Sequence, residues 1–523
     1  MKKISIMMAA LLTLVSCGDF LEDYSQDTAY VRNYTDLDEL LLGGGYIPTG
    51  TPTNIAETEG LFVGQQAYYY PYIHLMADEV DYNRTPTTEG NTTNGYPAEK
   101  FFGYYTWQQI VGITSDGTEI QAEDADWKRL YNHINICNTI IANIDDMDAK
   151  VSEQLEKQRV KGEAYFLRGA YYFVLANLYG KPYNPSTAAT DLAVPVKLTE
   201  FIEDKTFQRN TVKEVYQQVL SDLKEADKLL EGTTRKSYYR ANQTAARLLL
   251  SRVCLYMQDW SEASRYAQLV IEANDNSLAD LNTMTAAYFL NADLSEVIFT
   301  MGNGGLRRTI NSGQRAFSIT PEFFSLYADD DLRKTYFVRQ NTQYNYPEYV
   351  KGGSVTDLSR SSLSHNFLLR SAEAYLNLAE AAAYSGDETT ARKALSDLRK
   401  KRVSANSYTD VSLSSDELIS FIRDERAREL CLEGHRWFDL RRYAVNSVLP
   451  YTKTIRHNYT QGSLQYSYVT WSYVWVSEYS NFYELSTDDA ANTLPIPREV
   501  LDFNIGMKDN ERPSRLPVES INY

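Results

Sequence analysis

Glu433, His435 and Asp439 lie close together in the chain. A carboxylate, an imidazole and a second carboxylate at such spacing could move a proton, provided the fold brought them within hydrogen-bond reach. The surrounding run, IRDERARELCLEGHRWFDLRRY over residues 422–443, argues for a structural role instead. Gly434 separates two of the three and suits the left-handed position that ends a helix. No nucleophile and no metal-ligand spacing accompanies them. The chain contains no phosphate-cradling GxxxxGK[ST], no GxSxG elbow and no HExxH. Among 69 Asp and Glu, no motif marks a glycosidase pair. Asp329–Asp331 and Asp488–Asp489 could attract calcium but lack EF-hand spacing, so no metal and no cofactor is expected.

Recognition is the better-supported chemistry. Tyrosine outnumbers phenylalanine 41 to 19, and its flat apolar face with a polar edge suits sugar or peptide surfaces. Residues 61–110 mix such rings with Asn, Gly and Pro, the composition of long ordered loops. Tyr82, Tyr96, Tyr105 and Trp107 are the candidate stacking rings, and Asn83 and Asn94 the candidate hydrogen-bonding groups. A second insertion, about 275–365, supplies Arg307 and Arg308 for the same purpose. The alternating run 464–477 is expected to be one strand that serves structure or a partner.

Helices must position these loops. Trp127, Leu130, Ile134, Cys137 and Ile141 recur at helical spacing, and 151–179 continues as a long helix stopped by Gly180-Lys181-Pro182. Thr211 with Glu214 makes a capping box ahead of the stripe Val215, Val219, Leu223, Ala226 and Leu230. Helix, Gly/Asp turn and helix recur at 243–274 and 366–403, in the manner of tetratricopeptide units. One helix pair cannot bury its inner face alone, so the pairs must stack. The expected fold is mainly α, a tetratricopeptide-like scaffold over about 121–274 and 366–443, with large irregular insertions and minor β structure. Ser414 and Glu417 predict a further capped helix in which Arg426 falls on the apolar stripe of Ile419, Ile422 and Leu430. A buried arginine there needs a carboxylate partner.

The run Glu425-Arg426, Glu429-Leu430 and Glu433 to Arg442 resembles the ERxxELxxEGHRWFDLRR signature of the SusD/RagB family. Arg168, Tyr172, Leu175, Tyr179 and Gly180 resemble that family's RAxxYxxLxxxYG helix, with Gly169 in place of the alanine. Pro321, Tyr327, Asp331 and Arg333 match a further segment. Leu494 to Pro497 with Asn504 resembles the closing LPIPxxExxxN, although Val500 stands where glutamate is usual.

At the other end, Lys2, Lys3 and the short apolar run to Val15 read as an export signal over residues 1–16, ahead of a body at 17–523. Leu14-Val15-Ser16-Cys17 resembles a lipobox, so Cys17 is expected to carry lipid. The formal net charge of −17 argues against nucleic acid as a partner. Cys137, Cys254 and Cys431 read as free buried thiols.

The resemblance implies a surface-exposed, lipid-anchored outer-membrane protein. It would capture oligosaccharide and deliver it to a SusC-like TonB-dependent transporter, by binding rather than catalysis. A peptide-binding transporter lid is the alternative, with Arg307, Arg308 and Arg315 meeting a carboxylate; a surface glycosidase is the weaker one.

Overall fold

The computed structural model describes residues 31–49, 69–82, 98–119, 125–273, 276–302, 306, 310, 317–342, 346–352, 363–469 and 471–523. Its scaffold is a succession of helices: α1 (Ala125–Asn143), α2 (Gln154–Tyr179), α3 (Val212–Leu229), α4 (Gln243–Tyr256) and α5 (Trp260–Ala273), then α6 (Ser371–Tyr384), α7 (Glu388–Arg399), α8 (Ser415–Glu429) and α9 (Arg436–Ala444). The capping box of α3 forms as its sequence predicts. Thr211 Oγ1 accepts the Glu214 N–H at 3.2 Å, and the Glu214 carboxylate accepts the Thr211 N–H at 2.8 Å. From α1 to α5 each helix packs on the next. Gly169 lets α2 and α3 approach closely, because a Cβ there would meet Leu223 Cγ at 3.1 Å and Asp222 Cβ at 3.3 Å. Their closeness seats Arg168 on Asp222 through bonds of 2.6 and 2.9 Å.

The stack continues across the large insertion, since α5 packs on α6 although residues 274–370 intervene. Small antiparallel sheets carry the remaining strands: β1 (Val80–Tyr82) with β3 (Phe317–Ile319), β2 (Val297–Thr300) with β6 (Leu368–Arg370), β4 (Val338–Asn341) with β5 (Tyr346–Tyr349), and β7 (Ile455–Ser467) with β8 (Ser472–Leu485), which also pairs with β9 (Glu519–Asn522). The β2–β6 pair joins the two ends of the insertion and returns the chain to the scaffold.

Two expectations are corrected. Ser414 occupies the N-cap position of α8, but its side chain makes no capping bond. The Glu388 carboxylate of α7 caps instead, accepting the Ser415 N–H at 2.8 Å. Residues 464–477 are not one strand: the chain turns back at 468–471 and sets Tyr466 opposite Tyr473. Uncharged alternation fits a single strand and the two arms of a hairpin equally well, and no Asn-Gly or Asp-Gly turn announces the reversal.

The 422–443 run is an ionic knot. Arg426 is fully buried and donates to Asp439 at 2.9 and 3.1 Å and to Asn377 at 2.8 Å. Glu429 accepts from Arg370 at 2.7 Å, Arg402 at 2.9 Å and Arg333 at 3.0 Å. Arg333 is itself held by Asp331 at 2.7 Å, and Glu425 accepts from Arg399 at 2.7 Å. Burial alone would raise the Glu429 carboxyl, but the guanidiniums of Arg402, Arg370 and Arg333 outweigh it and hold that group well below the carboxylate range. Gly434 takes the left-handed backbone expected of it, with φ +78°. The three cysteines at 137, 254 and 431 are free and buried.

Candidate ligand face

In the β1–β3 ladder Val80 stands opposite Ile319, Asp81 opposite Ser318 and Tyr82 opposite Phe317. Residues 83–97 leave β1 at Tyr82, and residues 311–316 enter β3 at Phe317. The two insertions expected to read a ligand thus start from facing positions on one ladder. β5 packs against β3, which brings the β4–β5 hairpin to the same sheet.

The stems of segment 83–97 are clamped by β7. Asp81 accepts from the Tyr105 hydroxyl at 2.6 Å and from Asn458 Nδ2 at 3.2 Å. The Tyr82 ring stacks on Tyr459, centroids 4.6 Å apart and planes 18° from parallel. On the returning stem the Glu99 carboxylate accepts from the Tyr459 hydroxyl, from Gln461 Nε2 at 3.0 Å, and from the Ser115 N–H and hydroxyl at 3.0 and 2.8 Å. Partial burial pushes the Glu99 carboxyl up, but these donors outweigh it and keep the group below its ordinary value.

The three described candidate rings are framework, and that expectation is corrected. Trp107 is fully buried, with its indole stacked on His457 at 4.4 Å and its Nε1 donating to the Met76 carbonyl at 3.1 Å. Tyr105 is fully buried, stacks on the His457 ring at 4.2 Å, and receives the Tyr82 N–H at 2.9 Å on its hydroxyl. Tyr82 is 8% exposed and wedged between Tyr459 and Phe317. A chain this rich in tyrosine must bury many of them, and composition does not say which. Asn83, Asn94, Tyr96, Arg307 and Arg308 lie outside the described residues, as does Cys17. Sequence reasoning missed Asp81, Glu99, Asn458, Tyr459 and Gln461. Nothing local marks them, because the bonds between β7 and the stems join residues more than 340 positions apart along the chain.

The Glu433, His435 and Asp439 cluster is committed elsewhere. Glu433 accepts from Arg370 at 2.9 Å, and Asp439 from Arg426 and Arg442. Burial, then the positive charges of Arg252 and Arg426, hold the His435 imidazole far below its ordinary value, so it is neutral. A cavity beside it is walled by Phe166, Phe173, Phe299, Phe367 and Phe438, and its charged lining residues Arg252 and Glu433 are paired with Glu373 and Arg370. The acidic runs are paired too: Asp331 with Arg333, Asp329 with Lys334, Asp489 with Arg515. Among the described residues no group of three or more His, Cys, Asp or Glu could hold a metal ion, and no helix is long and apolar enough to cross a membrane.

Stacked helix pairs with two insertions joined at one ladder define a helical-repeat scaffold protein that carries long insertions. The SusD family matches residues 309–512, and a family described as "Starch-binding associating with outer membrane" matches residues 71–255. This chain belongs to the SusD-like family. SusD-like protein P38 of Formosa agariphila is 26% identical over 381 residues, 62% of this chain and 72% of that one. The solved structure of a SusD superfamily protein from Bacteroides thetaiotaomicron superposes with a TM-score of 0.67 at 22% identity, covering 92% of this chain and 100% of that chain. That of a putative sugar binding protein from Bacteroides vulgatus gives 0.66 at 24%, covering 93% and 99%. Surface glycan-binding protein A of Bacteroides fluxus gives 0.57 at 17%, covering 93% and 98%.

Proposed function

We propose that this chain is a carbohydrate-binding protein of the outer membrane, held at the cell surface by lipid on Cys17 after removal of residues 1–16. It captures an oligosaccharide and delivers it to a SusC-like TonB-dependent transporter. The observation that carries this reading is the β1–β3 ladder, from which the two polar and aromatic insertions depart side by side. Relatives and structural neighbours named for starch, sugar or glycan binding support the ligand class. Binding rather than turnover fits a chain whose signature acids are neutralised by arginines.

Segments 83–97 and 303–316 are the proposed contact regions, with Tyr96 stacking and Asn83, Asn94, Arg307 and Arg308 bonding to hydroxyls. The frame of half-buried Asp81 with buried Tyr105 and Tyr459 positions them. The test is a binding screen of the protein against plant, host and microbial polysaccharides with a peptide digest alongside, repeated with Tyr96→Ala and Arg307→Ala. Retention of one glycan, weakened by either change, is the expected result. Retention of peptides alone would overturn the carbohydrate reading, and release of shortened glycan would overturn the binding-only reading.

A further inference from the structure

Beyond Gln461, which still bonds to Glu99 and Ser115, the β7–β8 hairpin becomes exposed towards its tip. At about 3.3 Å per residue, the strand from Gln461 to Ser467 is about 20 Å long. Its tip is the most concentrated exposed aromatic surface among the described residues: Tyr466 is 42% exposed, Tyr468 77%, Val469 90% and Trp471 76%. The Tyr466 and Tyr468 rings meet edge to face at 5.1 Å, and Tyr468 is the more exposed of the two. Trp471 holds φ +53°, a left-handed conformation that glycine or asparagine adopts at less cost. A large ring retained at a strained and exposed position points to a use for the ring.

The tip also lacks charge. From Asn458 to Ser477 the sequence has no Asp, Glu, Lys or Arg, in a chain that is 23% charged. An ionic partner would find no counter-charge there. An amphipathic membrane contact would call for Lys or Arg beside the apolar residues, and none is present. What the tip offers is rings interleaved with Ser, Thr and Gln, which suit the faces and hydroxyls of an uncharged sugar chain. Its base is continuous with the frame of the candidate ligand face through Asn458, Tyr459 and Gln461.

We infer that the β7–β8 tip is a second carbohydrate platform, selective for uncharged chains long enough to reach it from the β1–β3 ladder. This rests on the carbohydrate reading above and adds a chain-length and charge preference to it. The test uses the full protein and two variants, Trp471→Gly and the pair Tyr468→Ala with Trp471→Gly. Glycine at 471 removes the ring while relaxing the backbone, so folding is retained. Soluble starch, xylan and galactomannan serve as neutral probes and polygalacturonate as the charged one, and the best-retained neutral polymer is compared with its trisaccharide. The expected result is a loss of about tenfold or more for the polymer in the double variant, with trisaccharide affinity unchanged. Equal losses for both lengths, or none, would overturn the platform. A wild-type preference for polygalacturonate would overturn the charge selectivity. Binding to phosphatidylcholine vesicles that the double variant loses, with glycan affinity intact, would make the occupant a bilayer. Wild type that retains no glycan would remove the proposed function and this inference together, whereas unchanged binding by the variants removes the inference alone.

Discussion

The knot around Glu429 uses fully buried carboxylates and the frame around Asp81 half-buried ones, to different ends. In the knot, guanidiniums from distant segments converge on carboxylates of α8 and lock the scaffold to the insertion. In the frame, tyrosine and serine hydroxyls, side-chain amides and a backbone N–H, rather than guanidiniums, hold the carboxylates of Asp81 and Glu99 at the two stems of segment 83–97. One arrangement holds the scaffold together, the other aims a surface. The contrast teaches that the most recognisable stretch of this chain serves the fold. Its ligand chemistry belongs to stretches with little signature at all.

That contrast can be broken. Glu429→Ala leaves three buried guanidiniums without their shared carboxylate and is expected to cost about 3–5 kcal/mol in urea unfolding, with ligand affinity per folded molecule unchanged. Lost affinity in a stably folded variant would tie the knot to the ligand. Trp107→Ala empties a fully buried site and is expected to cost about 3–5 kcal/mol. Unchanged stability with lost binding would return that ring to the ligand.

The buried titrating groups predict a pH optimum. Burial pulls the His74 imidazole down to about 4, and lowers His133, His435 and His457 as well. The unfolded chain therefore binds more protons than the native one below pH ~6.5, and stability falls as pH drops from there towards 4. Burial pushes the Glu79 carboxyl up to about 8, so its contribution is full below its ordinary value near 4.5 and is lost as pH rises to 8. Four histidines outweigh one glutamate in the lower window, and Glu79 acts without them in the upper. The melting temperature should therefore peak near pH ~6.5. A His74→Asn variant should show a shallower acid limb; an unchanged limb would mean that imidazole already titrates normally in the fold.

Tyr105→Phe removes the hydroxyl shared by Asp81 and the Tyr82 N–H and should cost about 1–3 kcal/mol. It should also weaken glycan affinity, because the loop stem loosens; intact affinity would separate frame from face. Trp471→Gly, at the exposed tip, should change stability by less than about 0.5 kcal/mol. A larger loss would make the tip part of the core rather than a surface.

Much of the scaffold was legible. Apolar spacing and the recurring helix-turn-helix pattern placed the helices α1 to α8, and the Thr211–Glu214 box and the Gly434 turn formed as their residue types require. The partner of Arg426 was foreseen as a carboxylate, though not as Asp439. The site was less legible. Tyr82, Tyr105 and Trp107 were chosen because rings among Asn and Gly suggest a ligand loop, and all three proved to be packed against one another's neighbours and β7. Local composition says that a ring is available; only the fold says whether something already covers it.

By itself the sequence determined the helical periodicity, the caps and turns that depend on neighbouring residues, and the demand that each buried charge find a partner. Those follow from steric limits on the backbone and from desolvation, both of which act locally. The tertiary structure alone decided which partners met. It set Glu388 rather than Ser414 at the start of α8, joined the two insertions at Tyr82 and Phe317, and brought Asn458 and Tyr459 onto stems 360 residues or more away. Such pairings depend on how whole helices and strands stack, which no local pattern encodes.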